Sequence, residues 1–187
     1  RSQYAVSLIR HDMRHFLTNI SVHIDNGEYE KAKEYINEII KASDKTAMHK
    51  YCENPTVNMI LSSYESTVKN NGIDFRYTLA IPKELPVSDI DLTSILSNAV
   101  ENACHAVLLL EKEQRYMSLD MRMRDGKLLI CLKNAFAEKP EIIDGVPRSR
   151  EPGHGFGTQS ILYVTEKLHG NCQFAVEEDL FIIRIIL

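Results

Sequence analysis

From Ser2 to Ile24 the apolar residues Val6, Ile9, Met13, Phe16, Leu17, Ile20 and Ile24 recur at helical intervals and predict one amphipathic helix. Asp25-Asn26-Gly27 interrupts the stripe and puts a glycine where helices commonly end in a left-handed residue. A second stripe, Tyr29, Ala32, Tyr35, Ile36, Ile39 and Ile40, predicts a helix from Glu28 to about His49. So short a turn makes the two helices antiparallel, an αα-hairpin. Two short helices bury little surface alone. Both stripes are wide, so the hairpin is expected to pair with a second copy as a four-helix bundle.

Glu53-Asn54-Pro55 breaks the helical pattern and divides the chain into a hairpin over 1–52 and an α/β domain over 53–187. In the second part, Val57 to Asn70 reads as a helix closed by Asn71-Gly72. Ile73, Phe75, Tyr77, Leu79 and Ile81 alternate as a strand. Pro82 to Pro86 is a loop, and Ser88 to about Glu113 is a helix with an Asp-rich start. Tyr116 to Arg124 and Lys127 to Asn134 are strands joined by the Asp125-Gly126 hairpin turn. Ala135 to Pro152 holds three prolines and little periodicity. A stretch that long reads as a functional lid or as disordered chain. Gly153 to Leu168 predicts a helix, and Asn171 to Val176 and Leu180 to Leu187 predict the last strands.

Composition narrows the function classes. The 187 residues are 44% hydrophobic and 26% charged, ordinary for a globular protein. A formal net charge of -4 argues against nucleic acid or anionic lipid as a general partner. Cys52, Cys104, Cys131 and Cys172 form no C-x-x-C pair and no zinc-finger spacing, and they read as free thiols in a reducing cytosol. No apolar run is long enough to span a bilayer. RSQYAVSLIR has no signal-peptide character and no initiator Met, so the chain is expected to be an excised portion of a longer protein, with any membrane region upstream.

Three clusters carry candidate chemistry. The first is Gly153-His154-Gly155-Phe156-Gly157 at the start of a helix, followed by Thr158, Gln159 and Ser160. Glycines there let backbone N–H groups approach an anion, and the helix N-terminus adds partial positive charge. Glycines also make ordinary loop-to-helix turns, and no G-K-[ST] follows. The second is Asn98 with Glu101 and Asn102 on a largely apolar helix. Asn98 and Asn102 share a face. Such groups either face a solvated cleft, where an asparagine oxygen suits Mg2+ beside phosphates and waters, or satisfy one another in the core. The third is His11 beside Asp12, with His15 one turn on. The carboxylate can orient the imidazole and take its proton, leaving the other ring nitrogen nucleophilic. The alternative is a polar bundle face.

Taken together and in this order, RHDMRHFL, ILSNAVENACHAV and GHGFGTQSI resemble the phosphoacceptor box, N-box and second glycine box of sensor histidine kinases with a GHKL (Bergerat-type) ATPase domain. IDLTSIL and NNGIDF are also similar to that family, and the AgrC-like quorum-sensing kinases are the group most resembled. The resemblance implies a fold of class α+β: the helical hairpin followed by a GHKL sandwich, with one mixed sheet packed on helices. It implies His11 as phosphoacceptor, Asp12 as assisting acid and Glu101 as a third catalytic residue. Asn98, Asn102, Asn134, Gly153, Gly155, Gly157 and Thr158 would bind ATP, with Asn102 on Mg2+. The implied activity is autophosphorylation of His11 and transfer to a response-regulator aspartate. The implied setting is a homodimer forming the cytoplasmic portion of a membrane-bound bacterial sensor. Three positions depart from the family. The D-x-G-x-G adenine box is missing, with Lys133-Asn134-Ala135-Phe136 in its place. His15 stands where an Asn associated with phosphatase activity is common, and His105 stands where an acidic residue is frequent. A phosphotransferase or scaffold with a degenerate pocket is the alternative.

Overall fold

The structure, a computed structural model, describes residues 17–43, 50–148 and 156–187. The chain divides into two compact units, 1–47 and 48–187. In the first, residues 17–25 form α1 and Tyr29–Ser43 form α2. Gly27 closes α1 at φ +73°, its N–H bonded to Ile24 O at 3.0 Å and the Glu28 N–H to His23 O at 2.8 Å. This double bond around a left-handed glycine is the helix end that the sequence predicts. Asn19 Nδ2 donates to Tyr35 Oη at 3.1 Å and ties α1 to α2. His23 Nδ1 lies 2.8 Å from Glu28 Oε2 and braces the turn.

The second unit is a five-stranded mixed sheet with three helices against one face. Its elements are α3 (Pro55–Asn70), β1 (Asp74–Ala80), α4 (Asp89–Leu108), a 3-10 turn (Lys112–Gln114), β2 (Tyr116–Arg124), β3 (Lys127–Ala135), β4 (Glu141–Ile143), β5 (Val146–Arg148), α5 (Phe156–Lys167), β6 (Asn171–Glu177) and β7 (Leu180–Ile186). The main sheet runs β1-β2-β3-β7-β6. Only β1 and β2 pair in parallel, and α4 makes the long crossover that a parallel pair requires. Alternation puts Met117, Leu119 and Met121 of β2, and Leu128, Ile130 and Leu132 of β3, on the buried face. They meet Leu92, Ile95, Leu96, Ala99, Val100 and Ala103 of α4, a helix buried between the sheet and its neighbours α3 and α5. No helix among the described residues is long and apolar enough to cross a membrane.

Two features correct the sequence expectations. Asn54-Pro55, read from sequence as a breaker with the helix starting at Val57, is the cap and first turn of α3. Asn54 caps the helix, accepting from Val57 N at 2.9 Å and donating to Lys83 O at 2.8 Å, and Pro55 takes the first-turn position that needs no N–H donor. Asn58 Oδ1 also accepts from the Tyr51 and Cys52 N–H groups at 2.8 and 2.9 Å. These bonds bind residues 51 and 52 to the start of α3. The second correction is the stretch after Ala135, which carries a two-stranded hairpin, β4 with β5. Its turn is Asp144-Gly145, with φ +51° and +79°, the left-handed pair that Asp-Gly favours in tight hairpins.

Helices α4 and α5 are joined at their far ends by an ion pair. Lys167 Nζ donates to Asp91 Oδ1 at 2.7 Å, and Ser88 Oγ donates to Asp91 Oδ2 at 2.8 Å. Lys167 first, and then Ser88, holds the Asp91 carboxyl below the usual carboxylate range. A carboxyl lowered on folding contributes stability that is complete above its unfolded value and is lost as pH falls through the lower folded value. In urea unfolding, Lys167→Met should therefore be less stable than the wild type at neutral pH, and the difference should shrink below about pH 4. A difference that stays constant with pH would contradict the pairing.

Beyond α5 the chain turns at Gly170 into β6. A Cβ there would stand 2.4 Å from Ile186 O, a backbone atom that cannot move without disturbing β7. Gly170→Ala should cost about 1–3 kcal/mol, as overpacking does. The urea midpoint checks this, and an unchanged midpoint would contradict so close an approach.

Candidate functional site

Helix α4 supplies the site's spine. Its N-cap Ser88 Oγ accepts from the Asp91 N–H at 3.1 Å, and Asp89 accepts from Thr56 Oγ1 at 2.6 Å, which fixes the start of α4 against α3. Asn98 and Asn102 project from one face of α4 and are both half-buried. Asn98 Nδ2 donates to Ser94 O at 2.6 Å and approaches Ser160 Oγ at 3.4 Å, while Ser94 and Ser160 hydroxyls lie 3.2 Å apart. Asn98 thus bridges α4 to α5.

Asn102 is different. Its Nδ2 is buried and has no hydrogen-bond partner among the described residues. Over it sits Gly157 in the first turn of α5. A Cβ on residue 157 would lie 3.0 Å from both Asn102 Nδ2 and Oδ1, and 3.2 Å from Asn98 Oδ1. The glycine therefore serves close packing of helix on helix, a reason distinct from the phosphate contact assigned to it from sequence.

Beside this contact opens a cavity of about 230 Å³. Asn102, His105 and Ala106 line it from α4, Asn134 and Phe136 from the end of β3, and Thr158 from α5. Phe181 of β7 and Pro140, Pro147 and Arg148 of the 136–148 segment complete it. Asn134 is 2% exposed and is the register partner of both Met117 and Phe181, so a polar amide stands on the apolar face of the central strands. Its Nδ2 donates to Ala135 O at 2.9 Å.

The structure thus brings together Asn102, Asn134, Gly157 and Thr158, with Asn98 next to them. It does not bring Glu101 to the cavity. Glu101 is exposed and turned around α4 toward Tyr64 and Cys104. Burial first, and the Glu101 charge second, pushes the Tyr64 phenol up to about 12 and the Cys104 thiol up to about 11. Tyr64 Oη donates to Ser97 O at 3.3 Å. His11, Asp12, Gly153 and Gly155 lie outside the described residues. Sequence reasoning did not assign Arg148 or Phe181 to the site; the Asp144-Gly145 hairpin signal would have positioned Arg148.

The residues suit a magnesium nucleotide. Among the described residues no group of three His, Cys, Asp or Glu side chains could hold a metal by itself. Asn102 would be one protein ligand, with phosphates and waters supplying the rest, as Mg2+ commonly takes them. Its orphaned amide is a group that a ligand can satisfy. A second hollow, about 390 Å³, lies on the open face of the sheet. Arg122 and Arg184 there are already paired with Asp120 and Glu177, at 2.7 and 2.6 Å.

Comparison with known proteins agrees with this geometry. The GHKL domain family model matches residues 87–187. The catalytic domain of the histidine kinase ThkA superimposes with a TM-score of 0.55 at 13% identity, over 71% of this chain and 90% of that one. Acinetobacter baumannii AdeS, a histidine kinase, gives 0.56 at 11% identity over 95% and 96%. Full-length ShkA, solved in complex with AMPPNP, gives 0.55 at 12% identity over 76% of this chain and 31% of its own. No curated protein sequence matches. At these identities the structures establish the fold, that of histidine kinase catalytic domains. The sequence match covers more than half of the chain, which therefore belongs to the GHKL domain family.

Proposed function

We propose that this chain is the kinase portion of a two-component sensor, which binds Mg-ATP in the cavity beside Asn102 and phosphorylates His11. The observation that carries the reading is the unpartnered Asn102 amide at the edge of a cavity that also holds the buried Asn134. In this reading Asn134 offers its amide to the adenine edge between Phe136 and Phe181. Asn102 Oδ1 meets the metal, Thr158 adds a polar contact, and the backbone N–H groups at Gly153, Gly155 and Gly157 hold phosphate oxygens at the start of α5. The bound Mg2+ offsets the phosphate charge.

His11 accepts the γ-phosphoryl group on one ring nitrogen as ADP departs, and Asp12 holds the proton on the other nitrogen. With Glu101 turned away from the cavity, Asp12 alone of the two proposed acids is left for this task. The phosphoryl group then passes to an aspartate of a response regulator. The motifs RHDMRHFL and GHGFGTQSI support placing the chain with the AgrC-like group, whose sensors carry a membrane region upstream. In the hairpin Leu17, Val22, Ile24 and Tyr29 are 46–67% exposed, an apolar surface that supports pairing with a second copy.

Incubation of the full chain with γ-labelled ATP and Mg2+ tests the proposal. The expected product is acid-labile, and His11→Gln should remove the label while retaining nucleotide binding. An acid-stable label, or labelling of the His11→Gln protein, would refute the acceptor assignment. Absence of both binding and label would favour a scaffold with a degenerate pocket.

A further inference from the structure

Away from the nucleotide cavity, a hollow of about 270 Å³ opens between α3 and β1. Leu61 and Val68 of α3 give it an apolar lining. Three aromatic rings stand around it: Tyr51 ahead of α3, and Phe75 and Tyr77 of β1. The Tyr51 and Tyr77 ring centroids are 5.2 Å apart with the planes inclined at 75°, and those of Phe75 and Tyr77 are 6.0 Å apart at 66°. Rings so steeply inclined do not close into a stack, and each pair leaves a π face uncovered. Glu65 of α3 lines the same hollow. Its side chain is 11% exposed, and its Oε2 is buried with no hydrogen-bond partner among the described residues. Its Oε1 accepts from Lys69, whose own side chain is 71% exposed. An ion pair with so exposed a lysine is weak, and it leaves the second oxygen without a donor. Burial first, and the Glu65 charge second, pushes the Tyr51 phenol up, so the ring beside the carboxylate stays neutral.

We infer that this hollow binds a guanidinium group, which donates to Glu65 Oε2 and lies against the rings of Tyr51, Phe75 and Tyr77. A cation is drawn both to aromatic faces and to a carboxylate, and an anion is repelled by both. The buried Oε2 lacks an N–H donor, which a quaternary ammonium cannot supply. A guanidinium carries five donors in one plane and stacks on aromatic rings, as a compact ammonium such as that of Lys69 does not. The hollow is smaller than the ~300–1,000 Å³ of sites that enclose drug-sized ligands, and it suits the end of one side chain or one small molecule. An arginine of a protein partner and a free guanidino compound carry the same group. β1 is an edge strand of the sheet and Tyr77 is 42% exposed, so the hollow is reached from solvent. None of its lining residues lines the nucleotide cavity, so this site stands independently of the nucleotide reading.

Nuclear magnetic resonance titration of the full chain with ethylguanidinium chloride tests this, read on the ring signals of Tyr51, Phe75 and Tyr77. Ethylurea, of the same shape without the charge, is the control, and both stay at concentrations far below those that unfold proteins. Ethylguanidinium should shift the ring signals saturably, and ethylurea should leave them in place. Glu65→Gln, which removes the charge and keeps the shape, should weaken binding about tenfold or more. Tyr77→Leu changes a ring that is already partly in solvent, so its fold should hold, and it should weaken binding about two- to fivefold. A peptide with one arginine between glycines, blocked at both ends, separates the two sources. Binding of the peptide assigns the site to a protein arginine, and its exclusion while ethylguanidinium binds assigns the site to a free guanidino compound. Equal shifts with ethylurea, shifts that do not saturate, or an affinity unchanged in Glu65→Gln and Tyr77→Leu would overturn the site.

Discussion

The close approach of α5 to α4 at Gly157 is the constraint on which the site depends. A single carbon at residue 157 would stand 3.0 Å from both polar atoms of the Asn102 amide, so with any other residue here the amide or α5 would have to give by a few tenths of an ångström. The approach is held along the helices by Asn98, Ser94 and Ser160, and again by Asp91 with Lys167. It places Thr158 beside Asn102 and leaves the cavity open toward Asn134 and Phe181. Beneath it, the apolar face of α4 rests on β2 and β3, so the site's polar residues stand on a core that fixes them.

The polar groups at the site are costly in the protein alone. A buried donor without a partner loses about 1–3 kcal/mol relative to a satisfied one. Asn102 carries that penalty in a well-packed helix. Rotating its amide by half a turn exchanges Nδ2 for Oδ1, so one side chain can present a donor to phosphate or an acceptor to a cation. Asn134, buried at the end of β3, places an amide in the same cavity from the opposite side. Apolar walls from Phe136, Phe181 and Pro147 around a few polar groups are the usual composition of a ligand site.

Elements that rest on local periodicity were legible in the sequence. The alternation of Met117, Leu119 and Met121, the Asp125-Gly126 turn and the Gly27 helix end follow directly from residue spacing and backbone preference. Readings that required tertiary partners were not. Asn54-Pro55 resembles a break because proline disrupts a helix interior though it suits the first turn, and only the bonds to Val57 and Lys83 identify it as a cap. Glu101 adjoins Asn102 in sequence, yet neighbours on a helix point about 100° apart, and Glu101 faces Tyr64 instead. Phe181 reaches the cavity because antiparallel pairing sets it beside Asn134, a register that sequence alone does not disclose. Pairing with a second copy and transfer to His11 rest on the motifs and on the exposed apolar residues of the hairpin.

The central claim is that a magnesium nucleotide binds against Asn102 and Asn134. Nuclear magnetic resonance of asparagine side-chain amides in the full chain, titrated with Mg-ADP, tests it most directly. The account predicts saturable shifts of the Asn102 and Asn134 amide signals, while Asn58 beneath the start of α3 and Asn19 in the hairpin stay in place. Saturable nucleotide binding that leaves Asn102 and Asn134 unmoved would contradict it.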